Sequence, residues 1–420
     1  MSSSPSQPLA GRRIWLAGIG GAGMSGYALL ARAWGAEVAG WDRVETPYLR
    51  HLEGIAVEIS PDPPTRPAGW DVYVSTAYAG RVEGQPRADL LAELVAQRQA
   101  IVVAGAHGKT TTSAMIAYCL DRLGLEPAFL IGGDVPQLGG NARAGSGWLV
   151  VEGDESDRSL AALRPEIAVL LNVDLDHHTT FVSRTEVEAF FEQWLRDVPR
   201  VVRAEELELV ALDLAVPGEH NRRNAAAALA ALELAGVPRD EAERVIVEFR
   251  GAGRRLEPKG EVGGVVVLDS YAHHPAELAA DLAAVRGMAG SAGGGATGAR
   301  PDDPAAFGGS RGRIVALFQP HLYSRTLHLA HGFATALAGA DAVCVTEIYP
   351  AREEPLPGVT GRLIVEELAR VRPGMPLGWA PSLEDAVGLV AGWARPGDTV
   401  LTLGAGDVDR AATLILEALA

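Results

Sequence analysis

The sequence predicts an α/β protein with three domains in a row, each built around a largely parallel sheet. At the usual domain size, 420 residues suggest about two to four domains. Short apolar runs typical of buried parallel strands alternate with longer helical patterns, as they do in βαβ units. Three blocks each open with a strand-like run and a glycine-rich turn. We place the domains at residues 1–97, 98–249 and 250–420.

Composition excludes several classes of protein. The formal net charge is −16, so there is no excess of cationic side chains for binding a nucleic-acid backbone. Cys119 and Cys344 each lie in an apolar run, which fits a reducing compartment and is not the pattern of a disulfide framework or a metal cluster. No apolar run approaches a membrane span, and the N-terminus lacks an apolar signal core. We therefore expect a cytoplasmic protein that does not insert into a membrane.

The first block has the pattern of a Rossmann-like βα unit. The strand-like run Arg13–Ala17 leads through a glycine-rich turn into a helical pattern that reaches Trp34, and the run Glu37–Trp41 ends at Asp42. Glycines at this spacing let the backbone approach a diphosphate, and the acid can bind a ribose hydroxyl. A tight turn without a ligand is the alternative. The glycines are Gly18, Gly20, Gly21 and Gly23.

The second block carries a more specific motif, a shortened phosphate loop after the run Ile101–Ala104. Val103 stands where the full pattern has glycine. In such loops the backbone N–H groups hold phosphates, a lysine neutralises their oxygens and a threonine hydroxyl binds Mg²⁺. The alternative is a turn that merely opens a helix. The loop consists of Gly105, Ala106, His107, Gly108, Lys109, Thr110 and Thr111.

Acidic clusters follow the next two strand-like runs of this block, Trp148–Glu152 and Ile167–Asn172. They read EGDESD and NVDLDHH. In a doubly wound sheet both clusters lie at the carboxyl edge beside the phosphate loop. Oxygen ligands with one histidine suit Mg²⁺ better than zinc. A solvated acidic loop is the alternative for either cluster.

The third block has polar loops at its strand ends. Such loops are common places for substrate contacts, although a single histidine there is equally well explained as a packed loop residue. Before this block, Asn221 either contacts a base or caps a helix. Residues 287–312 are of low complexity, and we expect a mobile surface loop without chemistry. The strand-like runs are Val265–Asp269, Ile314–Phe318, Ala342–Thr346 and Thr399–Leu403.

Nine motifs in this order resemble the Mur ligase family, and the resemblance runs from Ile14 to Asp407. The first motif resembles the members that add L-alanine more than those that recycle a peptide. The resemblance implies a Rossmann-like domain for a UDP-sugar, a central P-loop-type ATPase domain and a Rossmann-like domain for the amino acid. The motifs are GIGGAGMSG, GAHGKTTT, EGDESD, NVDLDHH, PGEHNRRN, DSYAHHP, FQPHLYSR, IYPARE and GAGD.

The implied reaction joins L-alanine to UDP-N-acetylmuramate in peptidoglycan precursor synthesis. ATP phosphorylates the lactyl carboxylate, and the amine attacks the acyl phosphate, releasing ADP and phosphate. The resemblance implies a UDP-sugar site at Gly18, Gly20, Gly21, Gly23, Met24, Ser25 and Asp42. It implies an ATP site at the loop 105–111 and at His220, Asn221, Asn224, Arg255 and Asp269. It implies Mg²⁺ ligands among Thr110, Thr111, Glu152 and His177. It implies alanine contacts at Tyr271, His273 and Arg325, with Lys109, His273 and Arg325 as catalytic residues.

Three departures from the family pattern stand out. The stretch between Phe190 and Pro217 is much shorter than usual, Leu322 stands where many members have arginine, and Ser270 replaces the second of two aspartates. The alternatives left open are a peptide-recycling ligase and an inactive nucleotide-binding scaffold. A nicotinamide dehydrogenase would leave the phosphate loop unexplained. We expect a monomer or a homodimer.

Overall fold

The computed structural model describes residues 7–175, 180–291, 312–351 and 353–420. They form two compact units, each treated by itself below. The N-terminal unit comprises described residues within 1–175, 179–212 and 223–249, and the C-terminal unit those within 213–222 and 250–420. Three sheets, each mainly parallel, confirm the predicted fold class. The boundaries of the three predicted domains stay a prediction.

The first sheet of the N-terminal unit is wholly parallel. Its elements are β1 (Arg13–Ala17), α1 (Ala22–Ala33), β2 (Glu37–Asp42), β3 (Ala56–Ile59), β4 (Asp71–Val74), β5 (Gln85–Pro86) and α2 (Arg87–Ala96). The strand order is β3-β2-β1-β4-β5, so β2 and β3 lie on one side of β1, and β4 and β5 lie on the other side. The glycine-rich turn after β1 therefore lies at the switch point of the sheet, where ligands bind in such folds.

The second sheet of this unit has the order β11-β10-β6-β9-β7-β8, in which only the β7–β8 pair is antiparallel. Its elements are β6 (Ala100–Ala104), α3 (Lys109–Arg122), β7 (Ala128–Val135), β8 (Gly140–Arg143), β9 (Leu149–Glu152), β10 (Ile167–Leu170), α4 (Arg184–Leu195), β11 (Arg200–Arg203), α5 (Glu219–Leu234, whose residues 219–222 fall in the C-terminal unit) and α6 (Arg239–Ile246). All five residues of β6 are buried, as its apolar sequence predicts. The phosphate loop leaves β6 between the ends of β9 and β10.

The third sheet belongs to the C-terminal unit and has the order β12-β13-β17-β14-β15-β16, antiparallel only between β12 and β13. Its elements are β12 (Glu257–Val262), β13 (Val265–Ser270), α7 (Pro275–Ser291), β14 (Ile314–Phe318), α8 (Tyr323–Leu337), β15 (Ala342–Thr346), α9 (Arg362–Val371), β16 (Leu377–Ala380), α10 (Leu383–Trp393), β17 (Thr399–Leu403) and α11 (Asp409–Leu419). The central strands β14 and β15 are fully buried, and apolar faces of the surrounding helices cover them.

One predicted surface loop is partly helical. Helix α7 continues through residues 287–291. These residues belong to the glycine-rich, low-complexity stretch 287–312, for which the sequence predicts a surface loop. The expectation was wrong there because alanine and the preceding apolar turns extend the helix past Gly287. Residues 292–311 lie outside the described part of the chain. Among the described residues, no helix combines the length and the apolar character needed to span a bilayer.

Candidate active site

The first glycine turn is held from inside by Asp42. Its Oδ2 accepts a hydrogen bond from the Gly20 N–H at 2.8 Å, and its Oδ1 accepts one from the Tyr78 hydroxyl at 2.7 Å. The side chain is buried, with 5% of the residue exposed. In this structure the predicted ribose-binding acid therefore fixes the shape of the turn. Its contact with a nucleoside stays a prediction.

Glycine is required at two positions of this turn. Gly18 has a φ of +87°, and a Cβ there would lie 2.4 Å from Ser75 Oγ. A Cβ on Gly20 would lie 2.9 Å from Asp42 Oδ2. Because the turn leads directly into α1, its backbone is placed at a helix N-terminus, where anions bind.

Two of the predicted sugar-nucleotide residues point into the protein. Met24 and Ser25 are buried, with 2% and 0% of the residue exposed. Ser25 Oγ donates to the Ala22 carbonyl at 3.0 Å, and the Ser25 N–H donates to the Gly21 carbonyl at 2.9 Å. Both side chains therefore serve the packing and the first turn of α1.

Arg87, at the start of α2, links the first turn to the acidic cluster that follows β9. It pairs with Asp157 at 2.8 Å and Asp154 at 3.2 Å. A Cβ on Gly23 would lie 3.3 Å from one of its Nη atoms, so the guanidinium lies beside the turn. Desolvation opposes the ionisation of Asp154, but Lys109 and Arg87 help to lower the pKa of that carboxyl below its usual value.

The phosphate loop is clamped by Asn172, which follows β10. Asn172 Oδ1 accepts from the His107 N–H and its Nδ2 donates to the His107 carbonyl, each at 2.9 Å. Gly105, with a φ of +132°, lies so close that a Cβ would meet the Asn172 carbonyl oxygen at 2.9 Å. A Cβ on Gly108 would meet Asn224 Oδ1 at 2.5 Å. The predicted ATP residue Asn224 thus packs directly on the loop.

Lys109 lies at the centre of this loop. Its Nζ donates to the Gly105 carbonyl at 2.6 Å and to the Ala106 carbonyl at 3.2 Å, and it pairs with Glu155 at 3.2 Å. Desolvation favours the neutral amine, but the nearby carboxylates of Glu155, Asp154 and Glu152 outweigh it and raise the pKa of Lys109 above its usual value. The lysine therefore carries its charge at the position where the loop would hold phosphates.

Thr110 and Glu152 form a pair whose chemistry fits Mg²⁺. The Thr110 hydroxyl donates to Glu152 Oε1 at 3.1 Å, and Glu152 Oε2 accepts from the Gly132 N–H at 2.7 Å. A hydroxyl beside a carboxylate is a hard-oxygen set of the kind Mg²⁺ prefers. Thr111 is buried next to Thr110 in the same helix. His177, the remaining predicted ligand, lies outside the described residues.

In the C-terminal unit, Asp269 is completely buried at the end of β13. It pairs with Arg254 at 3.0 Å and accepts from the Thr402 hydroxyl at 2.6 Å. Desolvation raises the pKa of Asp269, although Arg254 and Thr402 act against it. Arg254 also donates to the Gly404 carbonyl at 2.7 Å. The predicted nucleotide contact Asp269 therefore anchors an arginine and the neighbouring strand.

Two residues of the predicted ATP site, His220 and Asn221, lie at the start of α5. Desolvation, with Arg255 adding to it, lowers the pKa of His220 to about 4, so its imidazole is neutral at physiological pH. Asn221 donates from Nδ2 to the Pro217 carbonyl at 2.7 Å, which ties the helix start to the preceding loop. Asn221 is the third residue of α5 and donates to a carbonyl, whereas an N-cap side chain accepts from a backbone N–H, so this bond is not the contact that the helix-capping alternative predicts.

The residues predicted to contact the substrate L-alanine lie along a row of aromatic rings in the C-terminal unit. The centroid of the His273 ring is 5.2 Å from that of Tyr271 and 5.8 Å from that of His321. His273 Nδ1 lies 2.9 Å from the Tyr271 carbonyl oxygen, which can only accept, so Nδ1 carries the proton. Arg325, 3% exposed, contacts His321 Nδ1 at 3.3 Å. Leu322, at the start of α8, has a φ of +69°, a strained value for leucine.

Sequence patterns missed several residues of these sites. Asn172 and Glu155 stand inside the acidic motifs, and their contacts with the phosphate loop depend on strands that are distant in sequence. Arg87 carried no motif signal. Arg254, beside the predicted Arg255, is the partner that Asp269 has in the structure.

The chain is similar to known proteins in sequence and in fold. Family models match the Mur ligase middle domain at residues 103–202 and the Mur ligase, glutamate ligase domain at residues 304–406. A UDP-N-acetylmuramate–L-alanine ligase from Streptomyces avermitilis is 38% identical over 99% of both chains. One from Thermobifida fusca is 39% identical over 97% of this chain and 96% of its own. The crystal structure of UDP-N-acetylmuramate–alanine ligase from Thermotoga maritima matches with a TM-score of 0.75 and 26% identity, covering 96% of this chain and 98% of that one.

A phosphate loop with a charged lysine and acidic strand ends beside it is the arrangement of an enzyme that uses ATP. The family models and the relatives show that the chain belongs to the Mur ligase family of ATP-dependent ligases. This confirms the resemblance carried by the motifs. Within the family, the relatives just described are named for the addition of L-alanine to UDP-N-acetylmuramate. The alignment with the Streptomyces relative spans 486 positions, more than the 420 residues here, so this chain lacks segments that the relative has.

Proposed function

We propose that this chain joins L-alanine to UDP-N-acetylmuramate, with ATP converted to ADP and phosphate, in peptidoglycan precursor synthesis. The observation that carries the proposal is the charged Lys109, enclosed by the loop carbonyls and Glu155 beside a hydroxyl–carboxylate pair. These groups are of the kind that phosphoryl transfer requires, because that reaction depends on positioning and charge neutralisation more than on covalent catalysis. The alanine-adding relatives supply the substrates.

In the first step an oxygen of the lactyl carboxylate attacks the γ-phosphorus of ATP. The bond between the γ-phosphorus and the oxygen that bridges it to the β-phosphorus breaks, and ADP leaves. Lys109 neutralises the charge on the phosphate oxygens, and the loop N–H groups at the start of α3 hold them. Thr110 and Glu152 would hold Mg²⁺, with Thr111 and His177 as the further predicted ligands. Bound Mg²⁺ would supply Lewis-acid stabilisation of the transferring group.

The sugar nucleotide is assigned to the first turn. The N-terminus of α1 faces the place of the diphosphate, and Arg87 beside Gly23 adds a positive charge. Asp42 acts by holding Gly20 rather than by offering a free oxygen. His220, Asn221, Asn224, Arg255 and Asp269 stay the proposed surroundings of ATP.

In the second step the amine of L-alanine attacks the carbonyl carbon of the acyl phosphate, and phosphate leaves. We assign the amino acid to Tyr271, His273 and Arg325. Nδ1 of His273 donates to the Tyr271 carbonyl, so Nε2 is the unprotonated nitrogen of the neutral ring, and we assign to it the proton of the attacking amine. Arg325 offers a cation for the alanine carboxylate.

The test is ADP release by the wild-type chain with ATP, Mg²⁺, UDP-N-acetylmuramate and L-alanine, followed by omission of each component. Release that requires both acceptor substrates supports the proposal. Release with a tripeptide but not with alanine would move the chain to peptide recycling. Bound ATP without release under any condition would leave an inactive scaffold. Sedimentation of the same sample distinguishes the proposed monomer from a homodimer, and fractionation of the source cell tests the proposed cytoplasmic location.

A further inference from the structure

Strand β13 ends at Ser270, where the family resemblance leads one to expect a second aspartate after Asp269. A carboxylate nevertheless reaches this point from helix α7. Ser270 Oγ donates a hydrogen bond to Asp281 Oδ2 over 2.5 Å. The hydroxyl is thus on the strand and the carboxylate on the helix.

The Ser270 hydroxyl also holds the loop that follows it. The Ala272 N–H donates to Ser270 Oγ over 3.2 Å, so this oxygen accepts from the loop while it donates to the helix. A hydroxyl proton directed at Asp281 leaves the oxygen lone pairs for Ala272. The carboxylate therefore sets the orientation in which Ser270 can accept.

Helix α7 holds the far end of the same loop through a second carboxylate. Glu277 Oε2 accepts from the N–H groups of His273 at 3.0 Å and His274 at 3.2 Å. Glu277 and Asp281 are four residues apart and so lie on one face of the helix. The loop from Ser270 to His274 is fixed near both ends by that face.

The electrostatic surroundings indicate which property of Asp281 is needed. Desolvation and Glu277 raise its pKa to about 7, against the lowering effects of the Ser270 hydroxyl and Arg255. Near neutral pH the carboxyl is therefore protonated in a large fraction of molecules. What it offers Ser270 in either state is an oxygen acceptor, so a neutral side chain of the same shape should suffice.

We propose that Ser270 and Asp281 form one positioning unit that fixes the loop carrying Tyr271 and His273, with the carboxylate supplied by helix α7 in place of the strand end. The inference rests on the proposed function, which assigns L-alanine to that loop. It requires the two side chains to work together, so their roles should be exchangeable. An aspartate at 270 would still accept from Ala272, and a serine at 281 would still donate to that aspartate.

The test compares S270A, D281A, D281N and the double variant S270D/D281S in ligation assays at varied L-alanine. S270A and D281A should lower kcat/KM for L-alanine roughly tenfold, with the KM for ATP changed less than about twofold. D281N and the double variant should stay within about threefold of wild type. E366A removes an exposed carboxylate from helix α9 of the same unit and should leave these constants unchanged.

Amide hydrogen exchange over residues 271–274 is a second measurement that needs no activity. Exchange should be faster in S270A and D281A and close to wild type in D281N and the double variant. Wild-type exchange and kinetics in D281A would overturn the inference, and so would a double variant as impaired as D281A. If the wild-type chain does not ligate alanine, the proposed function fails by itself, and exchange alone decides whether the pair holds the loop.

Discussion

The two glycine turns of the N-terminal unit occupy equivalent places and are stabilised differently. Each leaves a central parallel strand at the switch point of its sheet and leads into a helix. The first is held by the Asp42 carboxylate on the Gly20 N–H. The second is held by the Asn172 amide on His107, and Lys109 lies in its centre.

In the proposed function, this difference separates the turn that binds the sugar nucleotide from the turn at which phosphate is transferred. A turn braced by an internal carboxylate presents backbone and a helix N-terminus, which can hold a diphosphate that does not react. A turn braced by a neutral amide adds no charge of its own, so Lys109, which pairs with Glu155, is the charged group at the proposed place of phosphate transfer. In the proposed function the same strand–turn–helix unit therefore has two roles, according to which side chains follow the neighbouring strands.

The largest expected effect is at the centre of the second turn. K109A should lower kcat for ADP release about 10³-fold, because the charge on the transferring phosphate loses its cation. The coupled assay for ADP measures it. R122A, at the exposed far end of the same helix, is the matched control and should keep wild-type rates. A K109A variant with near-normal turnover would mean that the second turn is not the site of phosphoryl transfer.

A smaller effect is expected at the acid beside it. E152Q keeps the shape of the side chain but removes the negative charge of the carboxylate that accepts from the Thr110 hydroxyl. Because Mg²⁺ then loses a charged oxygen ligand, the Mg²⁺ concentration giving half-maximal rate should rise by about tenfold or more. A Mg²⁺ titration of the rate, with E126Q as an exposed control, measures this. An unchanged Mg²⁺ dependence would remove Glu152 from the proposed ligands.

At the first turn we expect a loss of binding without a loss of chemistry. D42N leaves one oxygen acceptor where the carboxylate now serves Gly20 and Tyr78, so the turn loosens and the KM for UDP-N-acetylmuramate should rise roughly tenfold with kcat little changed. D62N, an exposed aspartate near the same sheet, should behave as wild type. A fall in kcat at unchanged KM would contradict the division between the two turns.

The smallest expected effect concerns stability in the C-terminal unit, which has neither turn. The folded pKa of Asp281, about 7, exceeds its unfolded value, so its stabilising contribution is present at low pH and is lost as the pH rises through that value. The Tm of D281N relative to wild type should therefore increase between about pH 5 and about pH 8. His220 also titrates with a shifted pKa, but its effect on Tm is the same in both proteins and cancels in the difference between their Tm values. A constant difference would place the Asp281 pKa near its usual value and contradict the prediction, as would a falling difference.

Apolar periodicity predicted the interior of the fold well. The runs Arg13–Ala17, Ile314–Phe318, Ala342–Thr346 and Thr399–Leu403 are strands with those bounds. Such strands are almost wholly apolar because both faces are covered. The sheet edges β3 and β16 were missed, since their short, partly exposed sequences carry little signal.

The candidate site was predictable in its parts and not in its connections. The phosphate loop and its lysine follow from local spacing, but the pairing of Lys109 with Glu155 and of Asp269 with Arg254 depends on which strands become neighbours. For the same reason, the sequence suggested a ligand-facing Asp42, whereas the structure turns it toward Gly20. Side-chain direction at a strand end is decided by tertiary packing.

The most direct measurement follows oxygen through the reaction. UDP-N-acetylmuramate labelled with ¹⁸O in its lactyl carboxylate is turned over with ATP, Mg²⁺ and L-alanine, and the released phosphate is analysed by mass spectrometry. Because the carboxylate attacks phosphorus and its oxygen leaves with the phosphate, each turnover should place one labelled oxygen in phosphate and none in ADP. Product amide formed with unlabelled phosphate would contradict activation of the carboxylate by phosphoryl transfer.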